Sequence, residues 1–362
     1  MDRLNEARKI INAVDEKMAE LFQQRMKAAK IIAEYKREHG LPILDQKRED
    51  ELIQKNCGYI KEEELKGFYI SFIRDMMKTS RNYQHMLVSG AKIAYSGVEG
   101  AFANIAARRT FPDGKAIGYE NFKAAYESVV NGECECVVLP IENSHSGEVG
   151  QVVDLIFSGP LKVCEMVDIE IHQNLLGVPG AKVTDIKEAI SHPQALSQCG
   201  EYLKTHSIIP KESVNTAVAA KTVAEKGDIC AAAIASEETA GLYGLEILER
   251  KINEDSGNTT KFAVLTPSGI TPPKGEAHTM LLFTVKNEAG SLAKAINIIS
   301  NHGYNMTALR SRPMKELMWK YYFYIEIEGV VGEDMLTELK NCCDKLKVAG
   351  TYKTISTKKV SK

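Results

Sequence analysis

The chain has 362 residues, more than one ordinary core holds and enough for two or three domains. Hydrophobic content of 44% and charged content of 26% are ordinary for globular protein, and a net charge of −2 gives no electrostatic reason to expect nucleic acid or a membrane as partner. The amino terminus MDRLNEARKI has no apolar signal core, and no run approaches the ~18 apolar residues a spanning helix needs.

Residues 1–90 read as all helix. The first helix runs from near Asp2 to about Glu38 and stops at Gly40 and Pro42. It is roughly 50 Å long, too long to bury its apolar side without partners. Leu4, Ala7, Ile11, Val14, Met18, Leu21, Arg25, Ala28, Ile32 and Tyr35 follow a three-four spacing, the seam of a packed helix. Arg25 is a permanent cation within that seam, so either a carboxylate of the protein or an anionic ligand must meet it. A second helix starts near Asp45 and a third covers about Glu62 to Met86. Helices of this length point to a bundle completed by a second chain.

The polar residues of this segment share faces. Arg25 and Lys36 point within ~20° of each other. Asp45, Arg48 and Glu49 lie at i, i+3 and i+4, and Ser80 and Gln84 at i and i+4. Arg8 points ~100° away from Arg25, so the two do not easily reach one site from one copy of a straight helix, and a dimer in which Arg8 serves the partner's site resolves this.

From Lys92 short apolar strands (KIAYSG, CVVLP, ICAAAI, KFAVLT) alternate with helical stretches, the texture of an α/β domain over residues 91–267. Gly97 and Gly100 flank a turn that opens a helix, PIENSHSGEV follows a strand, Ser191 precedes a helix start and Asn215 reads as an N-cap. Helix starts after strands are natural anion sites. A Pro- and Gly-rich linker, SGITPPKGEA, comes next. Residues 278–356 then run β-α-β-β-α-β, the ferredoxin-like order. Trp319 and the tyrosines of WKYYFYIE read as sheet and interface core. The eight cysteines form no C-x-x-C pair, so reduced thiols, no zinc site and a cytoplasmic location are expected.

The helical segment resembles the all-helical class of chorismate mutases. The match lies in ARKIINAVDEKM, QQRMKAAK, EYK, LDQKRED and SRNYQ, and fills every position that class uses: Arg8, Arg25, Lys36, Asp45, Arg48, Glu49, Ser80 and Gln84. The resemblance implies a helix-swapped dimer in which Arg8 crosses to the partner's site. Arg8, Arg25 and Arg48 would grip the two carboxylates of chorismate, and Lys36 and Gln84 would donate to its ether oxygen. Asp45 and Glu49 would take the ring hydroxyl, with Ser80 assisting a carboxylate.

Residues 92–267 resemble the prephenate dehydratase family through PIENS, SHPQ, LYGLEIL and the run Asn258-Thr259-Thr260-Lys261-Phe262. The resemblance implies two α/β lobes around a cleft, like a periplasmic binding protein. Thr260 would donate to the leaving hydroxyl of prephenate. Glu142, Asn143 and Ser144 would line the cleft opposite Gln194 and Thr216, with Lys261 where relatives often carry Arg. His145 and His192 read as local hydrogen-bonding residues, and Ala101 stands where many relatives have Thr or Ser. Residues 278–356 resemble an ACT domain with ligand motifs at Ala289-Gly290-Ser291-Leu292 and Arg310-Ser311-Arg312-Pro313. That implies phenylalanine as an inhibitor, although Arg310 replaces a Glu found in many relatives.

The expectation is therefore a multidomain, homo-oligomeric enzyme that turns chorismate into prephenate and prephenate into phenylpyruvate, with no metal or other cofactor. The alternatives are a prephenate or arogenate dehydratase whose helical segment only dimerises, and a non-catalytic aromatic amino-acid sensor.

Overall fold

In the computed structural model the described residues are 2–254, 257–268, 277–314 and 321–356. Trp319 and most of the expected linker lie outside them. The chain divides into two compact units, Met1–Lys92 with Asp113–Lys115, and Ile93–Pro112 with Ala116–Lys362.

The first unit is built from α1 (Asp2–Glu38), α2 (Gln46–Cys57) and α3 (Lys66–Ser89), the last preceded by a single 3-10 turn at Glu63–Leu65. Helix α1 packs on α3 through Ala29 and Ala33, with Arg25 and Met26 half-buried beside them. From α3 they meet a face carrying the buried Ile73, Met77, Ser80 and Gln84. Alanine at 29 and 33 lets the two backbones approach closely. The expected seam behaves differently. Leu4, Ile11, Val14, Met18 and Leu21 are 43–62% exposed, and Ala28, Ile32 and Tyr35 also face outward. The line that packs within one chain is thus rotated by about one residue from the heptad line, and most of the heptad line is exposed among the described residues.

The second unit begins with β1 (Lys92–Ser96), α4 (Phe102–Thr110), β2 (Lys115–Tyr119), α5 (Phe122–Val130), β3 (Cys136–Asn143), the short β4 (Gly147–Glu148), α6 (Gly150–Ser158) and β5 (Lys162–Glu170). A second lobe follows: β6 (Asn174–Gly177), β7 (Glu188–Ser191), α7 (Pro193–Gln198), α8 (Gly200–Thr205), β8 (Ile209–Glu212), α9 (Thr216–Lys226), β9 (Ala231–Ala235), α10 (Glu237–Tyr243) and β10 (Glu246–Glu249). The chain then returns to the first lobe as β11 (Thr259–Thr266). The second lobe's sheet runs β10-β6-β9-β7-β8, and β9, AAAIA, is buried on both faces, as a central strand covered on both sides must be.

The carboxyl-terminal segment is β12 (Ala277–Thr284), α11 (Ser291–Asn301), β13 (Met306–Pro313), β14 (Tyr321–Glu328), α12 (Glu333–Cys342) and β15 (Lys345–Ser356), the β-α-β-β-α-β order read from the sequence. It shares its sheet with the first lobe, in the order β13-β14-β12-β15-β5-β11-β3-β1-β2. Strands β15 and β5 pair in parallel, Lys353 opposite Glu165 through Ser356 opposite Asp168. At the start of that approach a Cβ on Gly350 would overlap the Val163 carbonyl, so only glycine fits. One apolar core accordingly runs from Val137 and Leu139 through Phe157 and Met166 to Met280, Tyr322 and Tyr352.

Candidate active sites

In the helical unit Arg25 Nη1 donates to Ser80 Oγ across the α1–α3 contact. Burial pushes the Arg25 guanidinium below its ordinary value, and the nearby Glu49 carboxylate opposes that shift. Glu49 itself is ion-paired to Arg81, a residue the sequence reading did not single out. Gln84, one turn beyond Ser80, is buried, and its Oε1 has no hydrogen-bond partner among the described residues. Arg25, Ser80, Glu49 and Arg81 therefore form one polar cluster, with Gln84 a turn further along the same helix. Asp45 caps α2, its Oδ1 accepting from Arg48 N–H at 3.0 Å. Lys36 donates to the Ile43 carbonyl at 2.6 Å. Arg8 and Arg48 are exposed, the latter only 3.9 Å from Glu51.

In the second unit a cleft of about 300 Å³ lies between the lobes. Its first-lobe wall is β3 and β11. Thr260 pairs with Asn143 across the two strands, and both side chains line the cleft. A β-bulge between Lys261 and Phe262 shifts the register, so Phe262 sits opposite Pro140 and that pair lines the cleft as well.

Asn143 is oriented without ambiguity. Its Oδ1 accepts from the backbone N–H of His145 (3.1 Å) and Ser146 (3.0 Å). Its Nδ2 must then be the donor to Thr260 Oγ1 at 2.9 Å and to Asn258 Oδ1 at 2.7 Å. Asn258 in turn donates to Gln198 Oε1 at 3.1 Å, linking the wall to the other lobe. Thr260 Oγ1 is the acceptor in that bond, so its own proton is not spent on Asn143.

Gln194 and Thr216 line the cleft from the other lobe. Thr216 opens α9 just after Asn215, whose side chain accepts from Val218 N–H at 2.8 Å. His192 also lines the cleft. Its Nδ1 accepts from Gln194 N–H at 3.2 Å, so it caps α7. The sequence reading missed Phe102, Phe122, Gln173 and Gln198. Gln198 lay in the same SHPQALSQC run as Gln194, whereas nothing in the pattern around Gln173 marked it.

Three expected cleft residues are elsewhere. Glu142 and Lys261 pair with each other one position from Asn143 and Thr260, so strand alternation turns them to the other face of the sheet. There Glu142 is ion-paired with Arg310 of β13, and Lys261 counters the burial that raises the Asp168 carboxyl above its ordinary value. Ser144 closes the strand end, donating to the Gly257 carbonyl at 3.2 Å and accepting from Thr259 N–H at 3.0 Å. Among the described residues the cleft lining carries no lysine or arginine.

The expected effector residues are also separated. Gly290 adopts φ +86° ahead of α11, which Ser291 and Leu292 begin. Leu292 lines a hollow with Thr284, Tyr321, Phe323 and Asp344, to which Ser311, Arg312 and Pro313 do not contribute. Arg312 is not free for a ligand. It binds Glu148 at 2.7 Å and Asp154 at 3.2 Å, with Tyr322 Oη at 3.0 Å, and this surrounding negative charge holds its pKa above the ordinary value despite burial. Ser311 and Pro313 alternate with Arg312 on β13 and are exposed.

A helical unit with a cation–glutamine cluster, followed by a two-lobed α/β unit whose cleft is lined by a threonine and amides, defines a two-enzyme chain. Residues 7–85 match the family model for chorismate mutase type II, and residues 93–269 that for prephenate dehydratase. The bifunctional chorismate mutase/prephenate dehydratase of Aquifex aeolicus (strain VF5) is 31% identical over 97% of this chain and 98% of its own length. Among solved structures, GqqA, described as a novel type of quorum quenching acylase, is 30% identical with a TM-score of 0.68, covering 73% of this chain and 98% of its own. The prephenate dehydratase of Arthrobacter aurescens, solved in complex with L-Phe, is 24% identical and shares the fold at a TM-score of 0.67, covering 72% of this chain and 89% of its own. The chain belongs to the bifunctional chorismate mutase/prephenate dehydratase family. It catalyses both steps, chorismate to prephenate and prephenate to phenylpyruvate, in phenylalanine biosynthesis.

Proposed function

We propose that Thr260 drives the dehydratase step and that the cluster around Arg25 drives the mutase step. For the first, the carrying observation is the Asn143–Thr260 hydrogen bond, in which the cleft-lining threonine is the acceptor and keeps its own proton for donation. The ring C–O bond of prephenate breaks with its electron pair going to the hydroxyl oxygen, and a proton passing by way of Thr260 completes water. The ring carboxylate leaves as carbon dioxide, its bonding pair closing the aromatic ring. A cation beside that carboxylate would stabilise the ground state more than a transition state losing the charge, so a lining without lysine or arginine suits the reaction. Asn143 positions Thr260, and Gln194 and Thr216 hold the substrate from the other lobe.

In the mutase step no bond to the protein forms. Arg25, assisted by Ser80, grips a carboxylate of chorismate; Gln84 and Lys36 serve the ether oxygen; Asp45 and Glu49 take the ring hydroxyl. Arg48 grips a second carboxylate, and Arg8 comes from a partner copy in a helix-swapped homodimer. The exposed apolar line of α1 supports this pairing, since covering each of its large side chains is worth ~1.5–3 kcal/mol. We further infer that residues 1–90, 91–267 and 278–356 act as mutase, dehydratase and ACT regulatory domains of a cytoplasmic protein, whose cysteines are all free thiols. Phenylalanine inhibits it through Gly290, Ser291 and Leu292. The β-α-β-β-α-β order and the L-Phe complex of the Arthrobacter dehydratase support this reading.

One experiment tests the whole scheme: purified protein is given chorismate while prephenate and phenylpyruvate are followed, with and without phenylalanine. Both products should form and phenylalanine should slow the second. Phenylpyruvate formation indifferent to phenylalanine would remove the regulatory assignment.

A further inference from the structure

Gln173 stands on the crossing from β5 to β6, between the lobes. Its backbone is fully engaged: its N–H donates to Asn253 Oδ1 at 3.1 Å, and its carbonyl accepts from Ile252 N–H at 2.9 Å. Both partners lie on the return crossing, so the residue is pinned between the two connecting segments. The residue is only 3% exposed and lines the cleft that also holds Thr260 and Gln194. Yet Gln173 Oε1 is buried with no hydrogen-bond partner among the described residues. Folded proteins keep few such atoms, because an apolar side chain of the same size would occupy the place without leaving a polar atom unsatisfied.

We propose that Gln173 is a substrate-binding residue of the dehydratase site whose Oε1 accepts the hydrogen of prephenate's leaving hydroxyl. The inference rests on the assignment of this cleft to prephenate. Prephenate carries two carboxylates and a keto group, all acceptors, and one donor, the ring hydroxyl. Of prephenate's own groups, only that donor can satisfy an orphaned carbonyl oxygen. With its hydrogen held by Gln173, the hydroxyl turns a lone pair toward the free proton of Thr260. The leaving group is then fixed from two sides before the C–O bond breaks, which is an orientation effect realised at the reacting centre.

The full-length Gln173→Leu variant tests this, with prephenate and chorismate assayed separately. The orphaned atom is gone, so the melting temperature should hold or rise and chorismate conversion should be unchanged. The kcat for prephenate should fall at least tenfold, with a smaller change in KM. A kcat within threefold of the unaltered protein overturns the proposal, and so does a loss confined to KM. Gln173→Met, which keeps the length without the amide, serves should the leucine variant fold poorly. Lowered melting temperature together with lost activity in both variants would mark Gln173 as structural and also overturn it. If Thr260→Ala left prephenate turnover intact, the cleft assignment itself would fail, which separates that failure from this one.

Discussion

The two units solve the same recognition problem in opposite ways. Each must hold a dianion of similar size. The helical unit offers arginines, and two of them, Arg8 and Arg48, stand in solvent on a chain whose longest helix leaves seven large apolar side chains of its seam 43–62% exposed. Among its described residues the α/β unit offers no lysine or arginine in its cleft, and it builds its wall from Asn143, Asn258, Gln198 and Thr260 in one hydrogen-bonded chain between lobes. A rearrangement that keeps both negative charges gains from fixed cations. A decarboxylation that removes one does not.

That contrast can be broken by substitution, starting with the largest effects. Arg25→Ala should cut mutase kcat/KM by about 10³, because it removes a half-buried charge bonded to Ser80, while prephenate turnover stays level. Equal loss in both assays would mean a folding defect. Thr260→Ala should lower dehydratase kcat by roughly 10² or more and spare the mutase, the signature of a lost donor to the leaving group. Met18→Asp together with Leu21→Asp should weaken self-association, so that mutase activity begins to fall on dilution at protein concentrations about tenfold higher than in the unaltered protein, as read by sedimentation and dilution assays. Unchanged sedimentation would remove the pairing through α1. At the small end, Lys261→Met should change dehydratase kcat less than about threefold, since its side chain faces away from the cleft. A hundredfold loss there would return Lys261 to the substrate.

The reach of the motifs can be judged from neighbouring residues. Thr260 and Lys261 belong to one motif, and Asn143 and Glu142 to another, yet only the first of each pair lines the cleft. A motif marks a strand segment, while the pleat decides which of its side chains face the ligand. The bulge at Lys261–Phe262, which brings Pro140 and Phe262 onto the same wall, has no sequence mark at all. By sequence Arg310 is a charge reversal that bears on effector binding. In the fold it meets Glu142 from the back of the same sheet, so the two departures from expectation are one contact. Similarly, Arg312 is drawn to Glu148 and Asp154, which stand about 160 positions earlier in the chain.

What the chain alone determined was local. Helix length, the breaks at Gly40 and Pro42 and the strand–helix alternation after Lys92 follow from periodicity and local residue type, which act over a few residues. Which face of α1 packs, the orientation of Asn143, the exclusion of Glu142 and Lys261 from the cleft and the orphaned amide of Gln173 were decided by the tertiary structure. These depend on strand register and on contacts between residues far apart in sequence, and no short window of residues contains them.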